Sequence, residues 1–306
     1  MKPSSFVHHA PRSIDEAVTV LAEVGHDGKV LAGGQSLIPI LNMRLAAPAH
    51  LVDINRVSGL GGVTVTPDAV RIGALVRHAQ LERHEGARAA LPLLRQALLH
   101  VAHPVIRNRG TTVGSIAHAD PSGEMPAVLA LLEGQVEVAG SRGARRIAAA
   151  DFFLGPLESS LAEDEMAVGA TFQRLPTGSG TAFFESARRH GDYALAGVAA
   201  AVTAVDGIVR RVRLSFVSVT PTPDVLDLTE AFAGRDVQSV DWTEAAEPAR
   251  AFVDPDADIH ASVAYRRMLV GVLTTRALAQ AAAAATGDLT DTDAAPQAGA
   301  AGKASA

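Results

Sequence analysis

Two loops rich in glycine and hydroxyl side chains, far apart in the chain, constrain this sequence more than any other feature. The first, Ala32-Gly33-Gly34-Gln35-Ser36, follows the short apolar run Lys29-Val30-Leu31. A run of that kind forms a buried strand. The second, Gly110-Thr111-Thr112-Val113-Gly114-Ser115, follows Val105-Ile106-Arg107-Asn108-Arg109 and leads into Ile116-Ala117-His118-Ala119-Asp120-Pro121. Glycines let a backbone approach a ligand closely, and successive free N–H groups form a concavity suited to phosphate oxygens. Taken singly, Gly33-Gly34 reads more often as a tight strand-to-helix turn. Two such loops converging on one diphosphate would make a dinucleotide site without a Rossmann fingerprint.

The pattern around the loops alternates helix and strand. Ile14, Ala17, Val18, Leu21 and Ala22 share one face of a helix expected over 11–24, with Ser13 as N-cap and Gly25 near its stop. Strands are expected over 29–32 and 51–54, with a helical turn over 37–45 between them. This is a small α/β unit. A second unit begins near Ser58, with hairpins over 63–74 and 135–148, helices over 76–84, 91–103 and 126–132, and a closing strand over 166–172. A linker is expected over 175–180. Beyond it, Asp206-Gly207 joins strands 199–205 and 208–219, since both turn positions tolerate positive φ. A last helix covers 262–284. The expected division is 1–176 (subdomains about 1–57 and 58–176), 177–285, and a tail 286–306 that lacks apolar periodicity and is expected to be disordered.

Composition removes several functions. The 306 residues contain no Cys, so no zinc-thiolate site or cysteine-ligated iron–sulfur cluster can form within them. The net charge of −6 is spread without blocks, which argues against a nucleic-acid surface. No apolar stretch reads as a membrane span, and the first residues lack a secretory h-region, so a cytoplasmic location is the expectation. Ser115, His118 and Asp120 lie too close together in one loop for a nucleophilic triad, and no nucleophile elbow is present. His100 and His103 lack an evident third metal ligand.

An ordered set of segments carries a specific resemblance. It comprises Ala32-Gly33-Gly34-Gln35-Ser36-Leu37-Ile38-Pro39, Leu51-Val52-Asp53-Ile54-Asn55, Arg107-Asn108-Arg109-Gly110-Thr111 and Ala117-His118-Ala119-Asp120-Pro121-Ser122-Gly123-Glu124-Met125-Pro126. Further on come Ala187-Arg188-Arg189-His190-Gly191-Asp192-Tyr193 and the late His260…Tyr265-Arg266…Arg276-Ala277 helix. Together these resemble the FAD-binding medium subunit of molybdenum hydroxylases, the flavoprotein of the xanthine dehydrogenase and carbon monoxide dehydrogenase group. The similarity runs from Phe6 to about Ala284.

The resemblance implies an α+β chain: a vanillyl-alcohol-oxidase-type (PCMH) FAD-binding domain of two α/β subdomains, then an α+β domain with a three-stranded antiparallel sheet. By the same resemblance, Leu31, Ala32, Gly33, Gly34, Gln35, Ser36 and Leu37 hold the diphosphate from one side. Thr111, Thr112, Gly114 and Ser115 hold it and the ribityl chain from the other, and His118, Asp120 and Gly123 are further cofactor-binding residues. Glu124 takes the place of an acidic contact to the adenosine half, and Asp192-Tyr193 that of the approach to the isoalloxazine ring. Tyr193 either stacks there or fills a domain interface. One departure from the family is Val113, where a glycine is usual. Either that position has negative φ here, or the valine reshapes the loop, since left-handed backbone costs a valine roughly 1–2 kcal/mol. Another is the absence of a charged residue ahead of Arg188-Arg189, where Ser186 and Ala187 stand.

The resemblance also implies the partners: a large molybdopterin subunit and a small subunit with two [2Fe–2S] clusters, assembled as a dimer of heterotrimers. FAD is then noncovalent and relays electrons from the clusters to a terminal acceptor. Two other readings are a self-sufficient flavoenzyme of the same fold, and a scaffold subunit that has lost FAD.

Overall fold

The computed structural model describes residues 2–287; the tail expected over 286–306 lies outside them, save Thr286 and Gly287 at the end of the last helix. The chain begins with a parallel three-stranded sheet, β1 (Val7–His9), β2 (Gly28–Leu31) and β3 (His50–Asp53), in the order β1-β3-β2. Helix Ile14–Val24 crosses between the first two strands. Ser13 caps it by accepting from Glu16 N, and Gly25 ends it at φ 56°.

A five-stranded sheet follows, built from β4 (Val63–Val65), β5 (Ala69–Gly73), β6 (Gln135–Gly140) and β7 (Gly143–Ala148). The short pair β8 (Phe153–Gly155) and β9 (Glu158–Ser159) precedes its central strand, β10 (Glu165–Gln173), and the sheet order is β4-β5-β10-β6-β7. The helices expected over 76–84 and 91–103 are shorter, His78–Glu82 and Pro92–Leu98. The first is cut short because Val76 O and His78 N bond to Thr112 N and Gly110 O, drawing this stretch onto the second loop.

The C-terminal sheet is antiparallel: β11 (Ser179–Ala187), β12 (Ala194–Val205), β13 (Ile208–Val217) and β14 (Val225–Asp227). The three strands expected of it are joined at one edge by a fourth of three residues. Asp206 and Gly207 both have positive φ, 52° and 76°, in the tight β12–β13 turn. β11 begins inside the stretch expected to be a linker, which therefore shrinks to the residues between Gln173 and Ser179.

β12 shows how the halves join. Ala199 and Ala201 pack into the N-terminal core, while Ala196, Val198, Ala200 and Val202 pack into the C-terminal one. Alternate side chains of a strand face opposite ways, so a strand covered on both faces reads as one unbroken apolar run. The outer cover is helix Val263–Thr286, which lies on β11 and β12. By length and composition alone this helix could cross a membrane, a test that a buried core helix also passes. Here its residues Val270, Leu273, Ala277, Leu278 and Ala281 are buried in the C-terminal core.

Candidate functional site

The first loop leaves β2 and enters helix Leu37–Asn42. Gly34 has φ 73°, the left-handed backbone that favours glycine. Gln35 Nε2 donates back to Gly33 O at 3.1 Å and braces the turn. Ser36 is exposed, whereas Leu31, Ala32, Gly33, Gly34, Gln35 and Leu37 are half-buried. Among the described residues, nothing accepts from the N–H groups of Gly34, Gln35 and Ser36. Backbone donors rarely stay unpaired away from water, so such a row is poised for an external acceptor.

Gly33 is where the two loops meet. A Cβ on Gly33 would lie 2.6 Å from Arg109 O, 2.8 Å from Gly110 Cα and 3.1 Å from Thr111 N. Only hydrogen fits there. The second loop is anchored upstream by buried Arg107, whose Nε donates to Glu82 Oε2 at 2.9 Å and whose Nη1 donates to Val101 O and Ala102 O at 3.1 Å.

The second loop turns helical earlier than a glycine loop would suggest. Thr111 is the N-cap of helix Thr112–His118, and its Oγ1 accepts from Gly114 N at 3.1 Å. The Gly114 N–H is therefore spent internally, and Ser115 N likewise donates to Thr111 O. What Gly114 provides is room, since a Cβ there would run into the Thr111 hydroxyl. Val113 lies in the first helical turn, buried in the core and without positive φ, so of the two sequence readings the first holds. Thr112 Oγ1 lies 3.3 Å from His78 Nδ1. Burial, and then the Arg107 charge, push the His78 pKa down to about 4, so this imidazole is neutral near pH 7.

Helix Thr112–His118 leads from the loops to a second group of candidates, about 10 Å along at 1.5 Å per residue. His118 is its last residue, and Ala119 ends it in left-handed backbone at φ 53°. Asp120 Oδ1 then accepts from Ser122 N at 2.8 Å, and Gly123 caps helix Glu124–Leu131. Burial, reinforced by nearby Glu185, pushes the Glu124 carboxyl up to about 8. Tyr193 is 69% exposed, yet crowding by the surrounding protein and the adjacent Asp120 push its phenol up to about 12. Asp120 thus turns to Ser122 and Tyr193 rather than to His118 and Ser115. Asp192 stands exposed in the preceding turn, its N–H donating to Arg189 O. His100 and His103 go separate ways: His100 lies 3.5 Å from Glu185, and the His103 ring faces His190. The C-terminal domain grips this region through Ser218, whose N donates to Pro121 O and whose Oγ donates to Ser122 Oγ, both at 2.9 Å.

The sequence reading passed over two residues at the loop junction, Asn55 and Arg77. Asn55 Nδ2 donates to Ala32 O, and Arg77 donates to both Asn55 Oδ1 and Arg109 O. Asn55 had a signal in its place at the end of the Leu51–Asn55 segment. Arg77 had none.

Residues 4–171 match the FAD binding domain in molybdopterin dehydrogenase, and residues 181–281 match the CO dehydrogenase flavoprotein C-terminal domain. The chain is 39% identical over 283 residues to the 6-hydroxypseudooxynicotine dehydrogenase complex subunit alpha of Paenarthrobacter nicotinovorans, covering 92% of this chain and 96% of the relative. It is 38% identical to the nicotine 6-hydroxylase medium subunit of the same organism, covering 92% and 99%. Among solved structures it is similar to a carbon monoxide dehydrogenase from Hydrogenophaga pseudoflava that lacks the Mo-pyranopterin moiety of the molybdenum cofactor. That match has TM-score 0.87 and 36% identity, covering 92% of this chain and 98% of the other. The chain therefore belongs to the FAD-binding medium subunits of the molybdenum hydroxylases, an oxidoreductase family.

Proposed function

We propose that this chain holds FAD noncovalently between Leu31–Leu37 and Thr111–Ser115. It relays electrons from [2Fe–2S] clusters in a small partner subunit to a terminal acceptor. A large molybdopterin subunit performs the substrate chemistry, and the assembly is a dimer of heterotrimers. The observation that carries the cofactor part is the close approach of Gly33 to the backbone of 109–111, which brings two distant loops together. The partner part is supported by the lack of Cys in the sequence and by relatives described as a dehydrogenase complex subunit and a medium subunit.

The donor set suits a diphosphate. The N–H groups of Gly34, Gln35 and Ser36 come from one side and that of Thr111 from the other, none with an acceptor among the described residues. The guanidinium groups of Arg77 and Arg109 add positive charge at the same junction. Bound FAD supplies the capacity to take up electrons singly and release them in pairs. The chain's residues bind and orient it. With its pKa pushed up to about 8, Glu124 is largely protonated at neutral pH and can donate a hydrogen bond to a ribose hydroxyl of the adenosine half. Tyr193 stays a neutral phenol and offers an aromatic face beside the ring. Asp120, fixed by Ser122 N, stands close enough to the tyrosine to raise its pKa.

Anaerobic mixing followed at the flavin absorbance band tests the relay. The flavin-loaded chain alone should keep its colour when given the organic substrate of the whole enzyme, and the assembled complex should bleach rapidly. Acid should release all of the flavin. Rapid bleaching of the isolated chain would replace the relay with a self-sufficient flavoenzyme.

A further inference from the structure

Arg77 stands between the two loops and is tied to both. Its Nη1 donates to Arg109 O and its Nη2 to Asn55 Oδ1, each at 2.6 Å. Asn55 passes the connection on, donating from Nδ2 to Ala32 O at 2.8 Å. The amide is held in that orientation by Asp53, whose Oδ1 accepts from Asn55 N at 3.0 Å and from Nδ2 at 2.6 Å. A polar strut thus runs Ala32–Asn55–Arg77–Arg109. It begins at the residue before Gly33, ends at the residue before Gly110, and spans the point where Gly33 abuts the second loop. The Arg77 backbone also pairs opposite Thr111.

The chemistry of the strut is specific to arginine. Both acceptors of Arg77 are neutral oxygens, so these bonds form no direct ion pair, although the Asp53 carboxylate behind Asn55 is close enough to act on the guanidinium charge. Arg109, the next cation, is exposed and makes no ion pair among the described residues. The planar fork reaches two acceptors at fixed separation, which an ammonium on a flexible stem does not reproduce.

We infer that Arg77, held by Asn55, is a positioning residue that sets the gap between the two loops and with it the grip on the flavin's diphosphate. This rests on the proposed reading that the two loops hold that diphosphate. The strut fixes the loops before the ligand arrives, so less ordering remains to oppose binding.

The test is titration of the flavin-free full-length chain with FAD, read by flavin fluorescence, alongside the melting temperature of each flavin-free variant. Arg77→Met should raise the Kd for FAD by about tenfold, the scale of one lost charge-assisted pair, and Asn55→Ala by a similar factor. The double variant should be no weaker than the weaker single, because both remove one strut. Arg77→Lys should recover part of the affinity, and the flavin-free melting temperatures should barely move. A Kd within about twofold of wild type for Arg77→Met would overturn the inference. So would a loss that disappears once corrected for the unfolded fraction. If Arg77→Met does not fold, Arg77→Lys and Asn55→Ala decide by the same criteria. Gly33→Val is titrated in parallel. Normal FAD binding by that variant would remove the loops from the site and sink the underlying reading, whereas its loss beside normal binding by Arg77→Met would sink the strut alone.

Discussion

The two halves of this chain use close backbone approach to opposite ends. In the C-terminal half, β11, β12 and β13 run 9, 12 and 10 residues beneath a 24-residue helix. Gly180 lets strand and helix touch there: a Cβ on it would meet Ala281 O and Ala285 N, and would come within 2.8 Å of Ala284 C. The backbones that meet at Gly180 belong to a regular strand and helix, whose ladders use the N–H groups they bring together. In the N-terminal half, most strands run only 3 to 6 residues, and Gly33 brings together two loops in which the N–H groups of Gly34, Gln35, Ser36 and Thr111 have no acceptor among the described residues. The same device seals a core in one region and, on the proposed reading, opens a binding site in the other. The difference lies in whether the apposed backbones belong to regular structure.

This contrast breaks most sharply under one substitution made twice. Gly33→Val should weaken FAD binding by about 100-fold or more, equivalent to ~2.7 kcal/mol, while the flavin-free chain stays folded. Gly180→Val should act the other way, lowering stability by up to about 3 kcal/mol through overpacking and leaving FAD affinity of the folded fraction near wild type. Fluorescence titration and denaturant melts on both variants check the pair. Equal losses of binding and stability in both would erase the distinction.

Glu124 gives a smaller and pH-dependent effect. Its folded-state pKa of about 8 lies above the ordinary 4.5, so folding favours the protonated carboxyl. That stability is complete below about 4.5 and is lost as the pH rises through about 8. The flavin-free chain should therefore lose melting temperature across this window, and Glu124→Gln should flatten the decline. Parallel profiles in the two proteins would show that Glu124 does not titrate across this window.

What the sequence made legible follows the same division. Ser13 and Gly25 announce their helix ends, and Asp206-Gly207 its hairpin, because capping and positive φ are local demands that few residues meet. The glycine loops were legible by residue type, and the family pattern linked them. Their contact was not visible, since nothing near Gly33 in sequence names Arg109 O as its neighbour. The early helix at Thr112 was also missed, because a Thr N-cap and a glycine loop share residue types. β11 was hidden by the glycines at its start, which suggest a linker but permit close packing on the last helix. Arg77 could not be found at all: its role depends on two oxygens supplied by other segments, Arg109 O and Asn55 Oδ1.

The central claim is that two loops remote in sequence form one FAD site while the C-terminal sheet serves as scaffold. Amide hydrogen exchange on the full chain, with and without FAD, tests it most directly. FAD should slow exchange at Gly34, Gln35 and Ser36 and at Thr111 together, and leave the β12 and β13 ladders unchanged. Protection confined to one loop, or appearing mainly in the C-terminal sheet, would contradict the account.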